Sequence, residues 1–232
     1  MTPDFLADID VAAIPRTHYS ISEIETFLRC PAKWHYKYVD KLDDPMGPEA
    51  QWGVAFHAAV EAHYTEKPLP LLSEDLQAAW TIYEREIATR VRPLPEWTER
   101  WIHWTLGGVP FVGRIDCLDD QLTIRDTKTK KRRPSQEDVN QSLQLTAYWE
   151  AVRQILGEAP KAVAWDVLVR NKQPVAETYL ADRTAQDVDR LTRIILAILE
   201  QADKGLIYPR WGQLDAGCGY CPFRDHCVED YQ

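Results

Sequence analysis

Asp116 in "GRID" and Asp126 with Lys128 in "RDTK" are the residues of this chain whose types and spacing best suit hydrolytic chemistry. Side chains alternate along a strand, so Asp126 and Lys128 share a face, and a tight Asp119-Asp120 turn brings Asp116 alongside them. Two carboxylates suit Mg²⁺ or Mn²⁺. Such an ion bridges a phosphate and acidifies the attacking water, while Lys128 orients that water or stabilises charge building on the phosphorane. A single D-x-K is more often a surface ion pair, and what raises its weight is company. In "GVAFHAAVEA", His57 and Glu61 stand at i and i+4 on one helix face, and imidazole is a good Mn²⁺ donor. His63, outside that setting, is expected to be dispensable. Gln144 and Tyr148 repeat the spacing, with Gln141 on nearly the same face. Their stripe borders an apolar one of Leu145, Trp149 and Val152, so it reads equally as the edge of a core helix.

"CGYCPFRDHC" places Cys218, Cys221 and Cys227 in a C-x2-C-x5-C frame, three thiols where a structural metal site usually takes four. Five cysteines is an odd number, and a reducing compartment disfavours disulfides, so metal ligation is the better expectation, with zinc and iron-sulfur both open. Cys117, beside Asp116 on a strand, should face the other way as a small buried hydrophobe. A formal charge of -9 excludes a broadly basic surface, yet "KTKKRR" at Lys128 to Arg133 is a dense local basic run. Lys130, Lys131, Arg132 and Arg133 would then line a narrow nucleic-acid channel.

The elements that must position these groups follow from periodicity and caps. Residues 1-18 read as an irregular leader. Ser20 with Glu23 opens a helix through "SISEIETFLRC", and Pro31 suits the first turn of a second. Further helices run through "QWGVAFHAAVEAHY" to about Tyr64, and from Ser73 through "EDLQAAWTIYEREIATRV". "ERWIHWTL", "VPFVGRIDCL" and "LTIRDTKT" then predict a three-strand antiparallel meander. Ser135 with Asp138 caps one long helix to about Leu156, "KAVAWDVLVR" and "VAETYLADR" are two more strands, and Thr184 with Asp187 starts a last helix to about Lys204. The order predicts an α/β fold, a mixed sheet with helices on both faces. A chain of 232 residues, 45% hydrophobic, suits one domain. No apolar run approaches the roughly 20 residues of a membrane span, and Met1 to Pro15 has no basic stretch of a signal peptide, so a cytoplasmic protein is expected.

Taken in order, "SISEIETFLRCP..W.YKYV", "G...H...E", "GRID", "RDTK", "Q...Y" and the closing cysteine frame resemble the RecB-type PD-(D/E)xK nucleases that carry an iron-sulfur cluster, in particular the AddB nuclease domain and the CRISPR-associated stand-alone exonucleases of the fourth Cas family. The resemblance spans about Ser20 to Cys227. It implies a restriction-endonuclease-like core within a single nuclease domain over 1-232, with an N-terminal helical part at 19-90, the core at 99-183, and a last helix and tail at 184-232. It implies that His57, Asp116, Asp126 and the backbone carbonyl of Thr127 hold Mg or Mn. Lys128 would be the catalytic lysine, and Gln144 and Tyr148 would contact DNA and support the site. It also implies that Cys30 joins Cys218, Cys221 and Cys227 on a [4Fe-4S] cluster tying the first helix to the tail. Glu61 matches a helix carboxylate of less defined role.

The function so implied is a metal-dependent DNA exonuclease acting at single-stranded ends with 5′ to 3′ polarity, in recombination, repair or CRISPR adaptation, with a protein partner from one of those systems and no membrane. No G-x4-G-K-[ST] phosphate loop is present, so the chain is not a helicase-nuclease on its own. The rivals are a non-catalytic DNA-end-binding scaffold and an iron-sulfur redox sensor.

Overall fold

The computed structural model describes residues 17–212 and 217–231; most of the leader at 1-18 lies outside them. The chain divides into two compact units, each built from separated segments.

The first unit comprises residues up to Pro45, Thr105–Val112, and the chain from Asp189 onward. Its opening helix α1 (Ile21–Arg29) is capped by Ser20, whose hydroxyl accepts from the Glu23 N–H, and it buries Ile21, Ile24 and Phe27. Pro31 at the first position begins α2 (Pro31–Trp34), which runs on as a π-helical turn over His35–Val39. Buried Tyr36 donates to Asp230 at 2.7 Å and packs on Phe223, which ties α2 to the C-terminal segment. Tyr19 pairs with the 105–112 segment, its N–H donating to the Pro110 carbonyl and its own carbonyl accepting from Val112. Gly107 and Gly108 both have positive φ, as a tight hairpin turn requires, and a Cβ on Gly107 would stand 2.7 Å from Thr192.

The second unit comprises Met46–Trp104 and Gly113–Val188. It holds α3 (Pro48–Tyr64), α4 (Glu74–Glu86), and the bases of strands β1 (Arg100–Leu106) and β2 (Val109–Ile115). β3 (Cys117–Leu118), β4 (Thr123–Lys130), α5 (Gln136–Asn140), α6 (Leu143–Leu156), β5 (Ala162–Val169) and β6 (Val175–Ala181) follow. α7 (Ala185–Asp203), nearly all of it from Asp189 onward, and α8 (Arg224–Tyr231) belong to the first unit.

A four-stranded mixed sheet runs β3-β4-β5-β6, with β4 and β5 parallel and the other pairs antiparallel. Thr127 meets Tyr83 of α4 on one face, whereas Lys128 meets Gln144 of α6 on the other. Helices thus cover both faces, as the element order predicts. β5 is buried along nearly its whole length, which the run "AVAWDVLV", apolar except for Asp166, reflects. No helix among the described residues is long and apolar enough to cross a membrane.

Two expectations need correction. The meander is not one sheet: β1 and β2 form a separate two-stranded sheet, and the chain breaks at Asp116 before β3. The Asp116 carbonyl accepts from Glu99 N–H and its carboxylate accepts from Thr127 N–H, so local bonds replace the ladder there. The long helix from Ser135 is two helices. Ser142 takes an extended conformation and its hydroxyl accepts from Leu145 N–H, starting α6 afresh. Gln141, at the end of α5, is exposed and bonds Glu137, away from Gln144.

Beneath β4 lies a buried ionic cluster. Arg125 contacts Asp119 at 2.7 Å and both oxygens of Asp166 at 3.0 Å, and Thr178 donates to Asp166 at 2.5 Å. The side chains of Asp119 and Asp166 are 4% and 1% exposed. Burial pushes the Asp166 carboxyl up, and the Arg125 guanidinium pulls it back. Arg125→Met should therefore destabilise the protein by about 3–5 kcal/mol in urea unfolding, because two buried carboxylates lose their cation. A cost within the range of an exposed ion pair would show that the cluster is not closed to solvent.

Candidate active site

β3 pairs with β4 only at Cys117↔Arg125 and Leu118↔Ile124, so from Thr127 onward one edge of β4 has no strand beside it. The sequence supplies other partners. Thr127 N–H donates to Asp116 Oδ2 at 2.8 Å, and the Thr127 backbone also meets the His57 ring. His57 Nδ1 lies 3.7 Å from the same Asp116 oxygen. Helix α3 carries the imidazole to this edge because its buried face of Phe56, Ala59 and Val60 docks in the core beneath.

Asp126 and Lys128 share a face of β4, as alternation requires, with Lys128 Nζ 2.7 Å from Asp126 Oδ2. Lys128 donates to Gln144 Oε1 at 2.9 Å, and Gln144 Nε2 donates to the Tyr148 hydroxyl at 3.4 Å. The i, i+4 stripe of α6 therefore faces the carboxylates as well as bordering the core. Tyr148 is held edge-on to Trp104 with ring centroids 6.0 Å apart. Gly113 makes room for both rings: a Cβ there would stand 2.8 Å from Tyr148 and 3.1 Å from Trp104.

The electrostatics are strained. Burial pushes the Asp116 carboxyl well above the usual range, and the Asp126 charge pushes it further. Burial lowers the His57 pKa more than the Asp126 charge raises it, so the neutral imidazole is favoured. Burial raises Tyr148 to about 12. Two buried, mutually repelling carboxylates with a neutral imidazole and a backbone carbonyl are a donor set that a hard or borderline divalent cation fits. Among the described residues, however, no three His, Cys, Asp or Glu side chains are drawn together as a metal centre.

The basic run is largely engaged locally. Lys130 sits 4.7 Å over the Trp165 ring, Lys131 pairs with Glu49 at 3.2 Å and Arg133 with Glu177 at 2.9 Å, while Arg132 is exposed. His63 lies 3.8 Å from Glu84 and packs on Trp80. Cys117 is buried, and burial raises its thiol, as expected of a small hydrophobe. In the first unit, Cys30, Cys218, Cys221 and Cys227 line one cavity with Trp211 and Phe223. Burial raises the Cys227 thiol, and Cys30, Cys221 and Cys218 add to it.

Two site residues were missed in sequence. Arg114, inside "GRID", contacts Glu99 Oε2 at 2.7 Å and Glu61 Oε2 at 2.9 Å. Glu99 precedes β1 and its N–H donates to the Asp116 carbonyl at 3.0 Å. A charged residue at a strand start ordinarily reads as solvated, and only the fold brings it here. Burial raises Glu99 from the usual 4.5 to about 7, against the pull of Arg114. A carboxyl raised on folding gives its full stability below pH 4.5 and loses it as the pH rises through about 7. In metal-free buffer, Glu99→Gln should thus gain stability relative to the native protein between those values, measured by thermal melting. A difference that stays constant across the range would place Glu99 in solvent.

The model of the PD-(D/E)XK nuclease superfamily matches residues 18–228. Among solved structures, the chain is similar to a candidate exonuclease from Eubacterium rectale, with a TM-score of 0.63 and 12% identity over 90% of this chain and 87% of that one. It is also similar to SSO0001, with a TM-score of 0.50 and 13% identity over 93% and 87%. At such identities the likeness is one of fold. No curated protein matches the sequence. The open edge of β4, with Asp116, Asp126 and Lys128 gathered on it, thus lies inside a match that covers nearly the whole chain, and the protein belongs to the PD-(D/E)XK nuclease superfamily.

Proposed function

We propose that this protein is a Mg- or Mn-dependent DNA exonuclease of the cytoplasm, acting at single-stranded ends with 5′ to 3′ polarity in recombination, repair or CRISPR adaptation. The observation that carries this is the run of contacts from His57 and Asp116 through Thr127, and from Asp126 through Lys128 to Gln144 and Tyr148, along one strand edge. A divalent cation held by His57, Asp116, Asp126 and the Thr127 carbonyl would supply Lewis acidity and an acidified water. The Thr127 N–H fixes the Asp116 carboxylate, and burial keeps His57 neutral for ligation. Lys128, held between Asp126 and Gln144, is aimed to stabilise charge on the phosphoryl group. Tyr148 steadies Gln144 from the far side. Lys130, Lys131, Arg132 and Arg133 would exchange their present carboxylate and aromatic partners for phosphates along the strand being degraded.

End-labelled single- and double-stranded DNA, incubated with Mg²⁺, Mn²⁺ or chelator, tests the reading. Single strands should shorten from the 5′ end in metal only, and Lys128→Ala should lose on the order of 100-fold or more in kcat while keeping its fold. Cleavage in chelator, or by the Lys128 variant at the native rate, would refute it.

The cavity lined by Cys30, Cys218, Cys221 and Cys227 supports a [4Fe-4S] cluster there, with four thiolates from two distant segments and an apolar wall that limits solvent. Protein purified without oxygen should be brown, with about four iron and four sulfide per chain. Cys30→Ala should bleach it and lower its resistance to proteolysis. A colourless native protein containing zinc would assign the same thiols to a Cys₄ zinc site.

A further inference from the structure

We infer that Glu99 is a positioning residue for the metal site, holding, through Arg114 and Glu61, the helix that carries His57 against the strand break that carries Asp116. The inference rests on the nuclease reading above and concerns residues to which that reading gives no role.

Glu99 has φ 51, the left-handed region that glycine adopts freely and a long side chain does not. A turn that needed only this backbone would be served better by glycine. The conformation does two things at once. It points the Glu99 N–H at the Asp116 carbonyl, 3.0 Å away, and it aims the carboxylate inward, where only 13% of the side chain is exposed. There it meets Arg114 Nε at 2.7 Å, and the Glu99 carbonyl accepts from the same nitrogen at 3.3 Å. The other arm of the guanidinium, Nη2, reaches Glu61 Oε2 at 2.9 Å. Glu61 stands one turn after His57 on α3, and its second oxygen is 3.8 Å from Lys67. A planar group with one nitrogen on each carboxylate, Nε on Glu99 and Nη2 on Glu61, holds the two at a set separation, which a lysine's single ammonium could not do. Glu99 thus grips Asp116 by its backbone and the His57 helix by its side chain.

Glu66 supplies a control within the same unit. It too is a glutamate at positive φ, 55, but it is exposed at the end of α3. Glu99→Gly and Glu66→Gly should each melt no lower than the native protein, because glycine relieves both turns. Their Mn²⁺ binding should diverge. By calorimetry without DNA, Glu99→Gly should bind at least about ten-fold more weakly, a difference of about 1.4 kcal/mol, while Glu66→Gly binds as the native protein does. Glu99→Gln, which can still accept from Arg114, should fall between. In cleavage assays the Mn²⁺ concentration for half-activation should rise in Glu99→Gly more than kcat falls. Native-like Mn²⁺ affinity in Glu99→Gly, or equal losses in the two glycine variants, would overturn the inference while leaving the nuclease reading intact. A native protein that neither binds Mn²⁺ nor cleaves DNA would overturn both.

Discussion

The hydrogen bond from Thr127 N–H to the Asp116 carboxylate is the constraint on which the rest of the second unit turns. A central strand would ordinarily give that N–H to a neighbouring strand. Here β3 ends its pairing with β4 at Arg125, and a side chain takes over. An unpaired buried N–H is costly, so the carboxylate is held in place by the backbone's own need for an acceptor. The same edge offers the Thr127 carbonyl. A strand edge left unfilled by other strands thereby becomes a row of fixed polar groups facing His57, with Asp126 and Lys128 standing beside it.

Much of this was legible in the sequence, because the signals were local. Alternation placed Asp126 with Lys128, helical spacing placed His57 with Glu61 and Gln144 with Tyr148, and capping residues marked the helix starts. The break at Asp116 was not legible, since in "VPFVGRIDCL" a single Asp between Ile115 and Cys117 reads as one more position of an alternating strand. Nor was the restart at Ser142, where an apolar period continues across a serine cap. Glu99 and Arg114 escaped for another reason. Their role exists only between elements far apart in the chain, and charged side chains near strands carry no mark of burial. The basic run illustrates the reverse case, a conspicuous local signal whose charges are mostly satisfied by Glu49, Glu177 and Trp165.

The site also shows where stability has been given up. Asp116, Asp126 and Glu99 bring negative charge into a poorly solvated region, and Glu99 adds an unfavourable backbone conformation. On the opposite face of β4 a single guanidinium, Arg125, holds two buried carboxylates, Asp119 and Asp166. Asp126 is paired with Lys128 on the other face, while Asp116 at the open edge has both burial and the Asp126 charge against it. That asymmetry is what a binding site for a cation requires and a structural salt bridge does not.

The first unit draws its core from three stretches that are far apart, up to Pro45, Thr105–Val112, and from Asp189 onward. During synthesis Ala32 and Tyr36 leave the ribosome more than a hundred residues before Phe223 and Cys227, on which they pack, exist. Most of the contacts of the second unit close within Met46–Val188 and can form first. Ala32 and Tyr36 must therefore wait, exposed, until the chain bearing Phe223 and Cys227 emerges, and loop closure over that span makes their docking slow. An earlier segment is thus completed only by a much later one, which leaves it on the nascent chain in need of a chaperone.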